Sequence, residues 1–283
     1  MEERIQFRDR INSVLANMEP DALAYNESEF WMIQSTFEYI EYYTIENHLY
    51  NTALALRLAR GLHDGSHRKS TLIKNGEAYR LPYVIHCLMV CRMLADLNIP
   101  ISTEENDILL ASALCHDMIE DVEFPDHGEE LYTKFGLDRR VYETVKLVSK
   151  RKDFTEEEER AFFHNIEANR LALLVKLSDR CHNVEDLYNR SLWKIHEYIG
   201  ETRKFFLPMC SYGMQHYPEL ISTLQILQEK MMHLTRAAEI LAERYGKRIQ
   251  ELEDEYRELK REQESLRREW IRIWDQNQGK NHG

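Results

Sequence analysis

The run Cys115-His116-Asp117-Met118-Ile119-Glu120-Asp121 places a histidine and three acids directly after the apolar stretch 108–114. On a helix, Glu120 stacks over His116 and Asp121 over Asp117, because side chains four residues apart share one face. Burying such polar side chains beside an apolar stretch is costly unless they bind a metal or a substrate. The run therefore predicts a helix that carries a binding site. The alternative is an ordinary helix with polar residues near its end.

The rest of the sequence also follows the helical repeat, and no segment has the sustained alternation typical of strands. We predict an all-α fold, a helical bundle followed by a long C-terminal helix. A loop over 65–82 separates the predicted helix at 46–64 from the predicted helix at 83–97. The predicted helices cover about 2–17, 28–43, 46–64, 83–97, 103 to the His116 run, 129–135, 138–149, 155 onward and 168–189.

The sequence after Pro218 has a different character. Apolar residues follow 3-4 spacing from Leu224 to Tyr245 and again from Ile249 to Ile273, among many charged residues. The spacing predicts a coiled coil or a long helical hairpin, with a stutter next to Gly246. An ordinary packed helix is an equal alternative before Gly246. We divide the chain into an N-terminal helical extension (1–45), a central domain (46–217), a C-terminal arm (218–276) and a tail (277–283).

Composition limits the function classes. The 283-residue chain has 37 Lys and Arg against 49 Asp and Glu, a net charge of -12. Such a chain is a poor binder of nucleic acids or anionic membranes, so an anionic substrate needs a local basic patch or a cation. The five cysteines form no C-x-x-C pair. No apolar run reaches the roughly 18 residues that a membrane-spanning helix needs, and the N-terminal residues do not have the pattern of a signal peptide. We therefore expect a cytoplasmic protein with reduced thiols.

Four candidate metal ligands come from three predicted helices: His86, His116, Asp117 and Asp179. A hydrolytic metal needs hard or borderline ligands and open positions for water. His86 alone would be interpreted as a core histidine, but its combination with the other three residues favours a ligand. Two histidines with two carboxylates suit manganese, iron(II) or another divalent transition ion better than calcium.

These residues, in this order, resemble the HD superfamily of metal-dependent phosphohydrolases, and more closely the alarmone hydrolase domain of the RelA/SpoT family. The resemblance covers about 46–212. Its matching segments are His63 with Arg68-Lys69, Pro82-Tyr83-x-x-His86, His116-Asp117-x-x-Glu120-Asp121, Lys176-Leu177-Ser178-Asp179-Arg180-Cys181-His182-Asn183, Glu201-Thr202 and Leu207-Pro208. It implies an HD-type hydrolase domain over 46–217 that removes the 3′-pyrophosphate of guanosine tetra- and pentaphosphate with manganese bound.

The resemblance also implies a role for each matching residue. Glu120 and Asp121 correspond to the pair that positions or deprotonates the attacking water. Arg68, Lys69 and Asn183 correspond to residues that contact the nucleotide. The four candidate ligands correspond to the family's metal ligands, namely His86, His116, Asp117 and Asp179.

Several positions depart from the family pattern. Cys87 and Val122 replace the usual Pro and Thr, and the 69–82 loop is longer than usual. Asp186 replaces a small hydroxyl residue that faces the ribose, which affects guanosine specificity. The alternatives are therefore an HD hydrolase of another nucleotide or phosphate ester, and a non-catalytic nucleotide-binding regulator. We expect no synthetase activity, and the arm is expected to bind a second copy or a partner protein.

Overall fold

The computed structural model describes residues 27–63, 65–68, 72–74, 77–121, 127–151, 153–187 and 190–279. The predicted helix over 2–17 lies outside this part of the chain. The described helices are α1 (Glu27–Glu46), α2 (Tyr50–Leu62), α3 (Val84–Asp96), α4 (Thr103–Cys115), α5 (Met118–Asp121), α6 (Glu130–Thr133), α7 (Arg139–Val148), α8 (Glu156–Glu167), α9 (Arg170–Glu185), α10 (Leu192–Glu201), α11 (Leu207–His216) and α12 (Ile221–Gly279). The predicted all-α fold with a long C-terminal helix is confirmed.

A small hairpin occupies part of the predicted 65–82 loop. Strands β1 (Leu72–Lys74) and β2 (Glu77–Tyr79) pair antiparallel. The sequence between them is Asn75-Gly76, a favoured two-residue hairpin turn. Strands of three residues are too short to produce a detectable alternation. The two sides of the segment also meet nearer its ends, where the Arg68 N–H donates to the Leu81 carbonyl over 2.8 Å. This contact brings Arg68 close to the start of α3.

Helix α9 lies at the centre of the bundle. It contacts α3, α4, α7, α8, α11 and α12. The Asn169 side chain caps its start by accepting from the Leu171 and Ala172 N–H groups, each over 3.0 Å. Residues from 172 to 181 are buried, apart from half-buried Lys176. A helix buried on nearly all sides must hold any polar side chain in a defined environment.

A buried carboxylate joins α4 to α2. Asp107 of α4 accepts from the Asn51 and Thr52 N–H groups over 2.9 and 2.8 Å, and from the Thr52 hydroxyl over 2.8 Å. These bonds satisfy donors that the first turn of α2 leaves without a helical partner. They also fix the orientation of α4, the helix that leads to His116.

The helix of the His116 run is interrupted, contrary to the prediction of one continuous helix. Helix α4 ends at Cys115, His116 and Asp117 lie in a turn, and α5 begins at Met118. The turn stays close to helical, because the Asp121 N–H still donates to the Asp117 carbonyl over 2.9 Å. The break nevertheless leaves Glu120 and Asp121 exposed while His116 is buried.

Helix α12 has a packed part and an exposed part. Leu224, Leu227, Met231 and Ala242 are buried, and this part contacts α9, α10 and α11. Every described side chain from 247 to 272 is exposed. The helix continues through Gly246, so the helical hairpin is excluded and the ordinary packed helix describes only the first part. The fourfold division of the chain stays a prediction.

Two further sequence-based expectations concern the environment of the protein. All five cysteines are buried free thiols, as expected for a reduced protein. Among the described helices, none combines the length and the apolar character that crossing a membrane requires.

Candidate metal centre

The imidazoles of His86 and His116 face each other, with their Nε2 atoms 3.2 Å apart. Both side chains are 1% exposed. The Nδ1 of His116 lies 2.8 Å from the Ala113 carbonyl, to which it can only donate. The Nδ1 of His86 lies 2.8 Å from Nδ1 of His182. With Nδ1 engaged in each ring, both Nε2 atoms are free to bind a metal, as ligating histidines in proteins usually do.

Two carboxylates approach this histidine pair. Oδ1 of Asp179 lies 3.1 Å from Nε2 of His86 and 3.7 Å from Nε2 of His116. Oδ2 of Asp117 lies 3.5 and 3.0 Å from the same two atoms. One atom from each of His86, His116 and Asp179 falls within 4.8 Å of the others, a grouping that could hold a metal ion. Asp117 lies beside this group and contacts both histidines.

The electrostatics of the cluster favour charged carboxylates. Burial alone would raise the pKa of Asp117, but the neighbouring His116 and His86 hold it well below its usual range. Burial acts in the same way on Asp179, and Lys176 together with His116 outweighs it, so its pKa is also well below the usual range. Burial lowers the pKa of His116, but Asp117 and Asp179 raise it overall to about 10.

Three neighbours of the cluster were not among the predicted site residues. The Tyr83 hydroxyl donates to Oδ2 of Asp117 over 2.5 Å, and Nζ of Lys176 lies 3.3 Å from Oδ2 of Asp179. His63 stacks against Tyr83 with ring centroids 5.0 Å apart, and its Nε2 is buried without a hydrogen-bond partner. Burial lowers the pKa of His63 to about 4, so this imidazole is neutral at pH 7. All three residues belong to the segments that carry the family resemblance, but their spacing in the sequence did not predict these contacts.

The two acids of α5 differ in their hydrogen bonding. Both are exposed, and Oε1 of Glu120 accepts from the Lys150 N–H over 2.5 Å. Both line the same pocket as Asp117 and Asp179. Partial burial in the pocket raises the pKa of Glu120, although the positive charge of Lys176 opposes the shift. The raised pKa makes Glu120 a better proton acceptor than an ordinary glutamate.

Asp117 and Asp179 of this cluster line a pocket with a volume of about 660 Å³. Its basic and acidic side chains balance, although the whole chain has a net charge of -12. A divalent cation in the cluster would make the pocket net positive and suited to an anionic ligand. The basic residues are Arg68, Lys150, Lys176, Arg180, Arg190 and Lys194. The acidic residues are Asp117, Glu120, Asp121, Asp179, Glu197 and Glu201.

The predicted substrate residues are only partly brought together. Arg68 is 5% exposed, and its Nη2 donates to Asn183 Oδ1 over 3.0 Å and to Asp186 Oδ2 over 3.3 Å. Asn183 in turn donates to Oδ1 of Asp179 over 2.5 Å. Arg68 is therefore linked to the metal cluster through one amide. Lys69 lies outside the described residues.

Lys150 belongs to a network of ion pairs. Its Nζ lies 2.6 Å from Glu159 and 3.3 Å from Glu201, and Glu201 also pairs with Arg180. Lys150, Arg180 and Glu201 line the same pocket as Asp117 and Asp179. The network fixes two cations inside the pocket, where they can meet phosphate oxygens.

Comparison with known proteins agrees with this geometry. The family model described as HD domain matches residues 83–184, the segment that contains all four candidate ligands. The bifunctional (p)ppGpp synthase/hydrolase SpoT of Escherichia coli (strain K12) is 28% identical over 66% of this chain and 25% of its own length. The guanosine-3′,5′-bis(diphosphate) 3′-pyrophosphohydrolase of Haemophilus influenzae is 29% identical over 62% of this chain and 24% of its own length.

A chloroplast protein of Oryza sativa subsp. japonica, named as a GTP diphosphokinase, is 27% identical over 71% of this chain and 22% of its own length. The chain thus spans about a quarter of the length of these relatives. Residues 83–184 match the HD domain family, and the chain is similar to proteins of the RelA/SpoT type over 62–71% of its length. HD domains bind divalent metals, which the converging histidine and aspartate side chains suit.

Proposed function

We propose that this protein is a metal-dependent phosphohydrolase that removes the 3′-pyrophosphate from guanosine tetraphosphate and pentaphosphate. The observation that carries the proposal is the grouping of His86, His116 and Asp179 within 4.8 Å of one another, beside a pocket that Asp179 lines together with six basic side chains. The similarity to a guanosine-3′,5′-bis(diphosphate) 3′-pyrophosphohydrolase supports this choice of substrate.

In this proposal, His86, His116, Asp117 and Asp179 hold a divalent transition ion, with manganese or iron(II) as the leading choices. Histidine nitrogens with carboxylate oxygens form the donor set that such ions prefer. When bound, the ion supplies Lewis acidity toward a phosphate oxygen. Tyr83 and Lys176 each hold one carboxylate in place from outside the cluster.

The proposed reaction consumes one water. The water oxygen forms a bond to the phosphorus next to the ribose 3′ oxygen, and the bond between that phosphorus and the 3′ oxygen breaks. Glu120 takes a proton from the water, with Asp121 as the second acid near it. The departing 3′ oxygen takes up a proton, which Glu120 can return, so the products of guanosine tetraphosphate are guanosine diphosphate and pyrophosphate. Basic side chains offset the phosphate charge in the pocket.

The proposed substrate contacts involve basic and amide side chains of the pocket. Arg68, Lys69 and Asn183 contact the nucleotide, and Lys150 and Arg180 offer further cations in the same pocket. Arg68 already has an acidic partner in Asp186. That pairing favours a second candidate, hydrolysis of another nucleotide or phosphate ester by the same metal site. We propose hydrolysis and no synthetase activity for the described residues, in which Ile221–Gly279 is one helix, α12, rather than a mixed strand and helix domain.

The deciding experiment incubates the manganese-loaded full chain with guanosine tetraphosphate and separates the products by anion exchange. Guanosine diphosphate and pyrophosphate in equal amounts are expected. Guanosine triphosphate, deoxynucleoside triphosphates and a phosphomonoester serve as rival substrates, and an Asp179→Ala chain controls for contaminating hydrolases. Preference for a rival substrate favours the second candidate. Binding of guanosine tetraphosphate with no turnover of any substrate means that the protein is a regulator.

A further inference from the structure

The part of α12 beyond Gly246 has a row of large apolar side chains that face solvent. Their exposed fractions lie between 46% and 67%, and no side chain from 247 to 272 is buried by the described chain. Long helices in water are stabilised chiefly by packing an apolar face. A contiguous exposed row of this kind marks an interaction surface. The row consists of Ile249, Leu252, Tyr256, Leu259, Leu266 and Trp270.

We propose that residues 249–270 form a parallel, in-register, two-stranded coiled coil with a second copy of this chain. The row fits a heptad in which Ile249, Tyr256, Gln263 and Trp270 occupy position a. Position d is leucine three times, at 252, 259 and 266. A β-branched residue at a with leucine at d favours two strands, and one polar residue at a fixes the register. The chain supplies that polar residue as Gln263.

Charge complementarity identifies a second copy as the partner. In a parallel pair, each g residue faces the e residue five positions later in the other strand. Arg248 then faces Glu253 of the second copy, Glu255 faces its Lys260, and Glu262 faces its Arg267. All three pairs have opposite charges, and two-fold symmetry forms each pair twice. The sequence is therefore complementary to itself in this register.

The antiparallel arrangement brings like charges together. Placing Leu252 opposite Trp270 aligns every a layer with a d layer, so g residues face g residues and e residues face e residues. Glu255 would face Glu269 of the second copy, and both Glu262 and Lys260 would face their own copies, while Glu253 with Arg267 would be the one pair of opposite charges. Like-charge contacts disfavour an arrangement even where the apolar core is good. The parallel form is the one that these charges select.

The position of the row on α12 is consistent with a separate interface. Ala238 and Ala242 pack against Ile195 and Ile199 of α10. Ile249 lies seven residues after Ala242, hence on the same face but beyond the packed part. Residues 249–270 would extend this face by about 33 Å, at about 1.5 Å per residue. Arg248 contacts Glu251 and Glu255 of its own helix over 3.1 and 3.7 Å, and such exposed pairs exchange readily.

Cysteine cross-linking of the full chain tests orientation and register. All five native cysteines are buried, so a new exposed cysteine reports on its own position. Leu252→Cys should form an intermolecular disulfide on mild oxidation, because identical d positions meet in the parallel form. In the antiparallel form, two copies of residue 252 would lie about 27 Å apart. Asp254→Cys is the matched control, since position f points away from the partner.

Charge exchange tests the identity of the partner. Glu255→Lys with Glu262→Lys should be monomeric in light scattering, and Lys260→Glu with Arg267→Glu should be monomeric as well. An equimolar mixture of the two double variants should dimerise, because every exchanged pair regains opposite charges.

These outcomes decide the proposal without reference to hydrolysis. A wild-type chain that is monomeric at all concentrations overturns it, whether the row is covered by another part of the chain or by a different protein. A trimer mass, equal cross-linking of the Leu252→Cys and Asp254→Cys chains, or cross-linking only between Leu252→Cys and Trp270→Cys chains also overturns it. Unchanged circular dichroism of each variant excludes misfolding as the cause.

Discussion

The hydroxyl of Tyr83 donates a 2.5 Å hydrogen bond to Oδ2 of Asp117, the oxygen that also lies 3.0 Å from Nε2 of the candidate ligand His116. Tyr83 precedes His86 by three residues, at the start of α3. Because the tyrosine ring stacks on His63 and meets the edge of His86, packing fixes where its hydroxyl points. Tyr83 therefore orients the carboxylate of Asp117, which lies in the turn between α4 and α5.

Replacing Tyr83 with phenylalanine should weaken metal binding while leaving the fold intact. The variant keeps the ring contacts and removes the hydroxyl that holds Asp117. Loss of such an outer contact typically lowers metal affinity or activity by about 10–100-fold. Manganese titration against a competing chelator measures the effect. Affinity equal to that of the wild type would mean that Asp117 is held without this hydrogen bond.

Replacing Asp179 with alanine should remove stoichiometric metal from the purified protein. Three remaining ligands hold a labile ion poorly, and the charge of the site changes. Asp186→Ala is the matched control, because Asp186 is the acid that follows α9 and lies outside the ligand group. Metal content by mass spectrometry should be about one ion per chain in the control. One ion per chain in the Asp179→Ala protein would contradict the role of Asp179 as a ligand.

Glu120→Gln and Asp121→Asn should keep the metal and lower turnover by roughly 100-fold or more, the scale of lost general base catalysis. The Glu120→Gln effect should be larger, since the Lys150 N–H holds the Glu120 carboxylate in place and burial raises its pKa above that of an ordinary glutamate. The amide can still accept from Lys150, so shape is preserved.

The same interpretation predicts the pH dependence. A general base works only when it is deprotonated, so the wild-type rate should fall as the pH drops through the raised pKa of Glu120. The acid side of the profile should differ in the Glu120→Gln chain. A wild-type rate and profile in both variants would mean that another group activates the water.

Removing the carboxylate of Asp186 should strengthen nucleotide binding through Arg68. The Arg68 guanidinium lies 3.3 Å from Asp186 in a buried site, where the acid competes with a phosphate for the same cation. Asp186→Ala should therefore lower KM for guanosine tetraphosphate, and Arg68→Ala should raise it, with smaller changes in kcat. If neither variant changes KM, Arg68 serves the structure and not the substrate.

The sequence predicted the parts of the structure that depend on residues close together in the chain. Helix periodicity located most of the described helices, but α10 (Leu192–Glu201) and α11 (Leu207–His216) were not predicted. A capping box between Thr155 and Glu158 starts α8. The order of His86, His116 and Asp179 led to the prediction of one shared site, and one ligand atom of each lies within 4.8 Å of the others. Their role as metal ligands stays a prediction. These features follow from local pattern and from burial.

The remaining features depend on contacts between distant segments. The bond from Tyr83 to Asp117 spans 34 residues, and the pair of Arg68 with Asp186 spans 118. No periodicity reports such contacts. The interruption of the helix at His116 was also missed, since His116 and Asp117 have no helix-breaking character and their turn is held by the surrounding packing. The separation of Glu120 from His116 follows from that turn.

A chain that ends at Tyr245 should separate assembly from chemistry. The residues removed are exposed in the described structure, and the pocket is lined by residues from 63 to 206. Metal content and kcat should therefore match the full chain, while light scattering should give a monomer in place of a dimer. Buried Leu224, Leu227 and Met231 remain in the shortened chain, so its thermal unfolding should also be unchanged for the domain. Loss of hydrolysis in a folded, metal-loaded chain would mean that assembly completes the active site, since no side chain beyond 245 lines the pocket of its own chain.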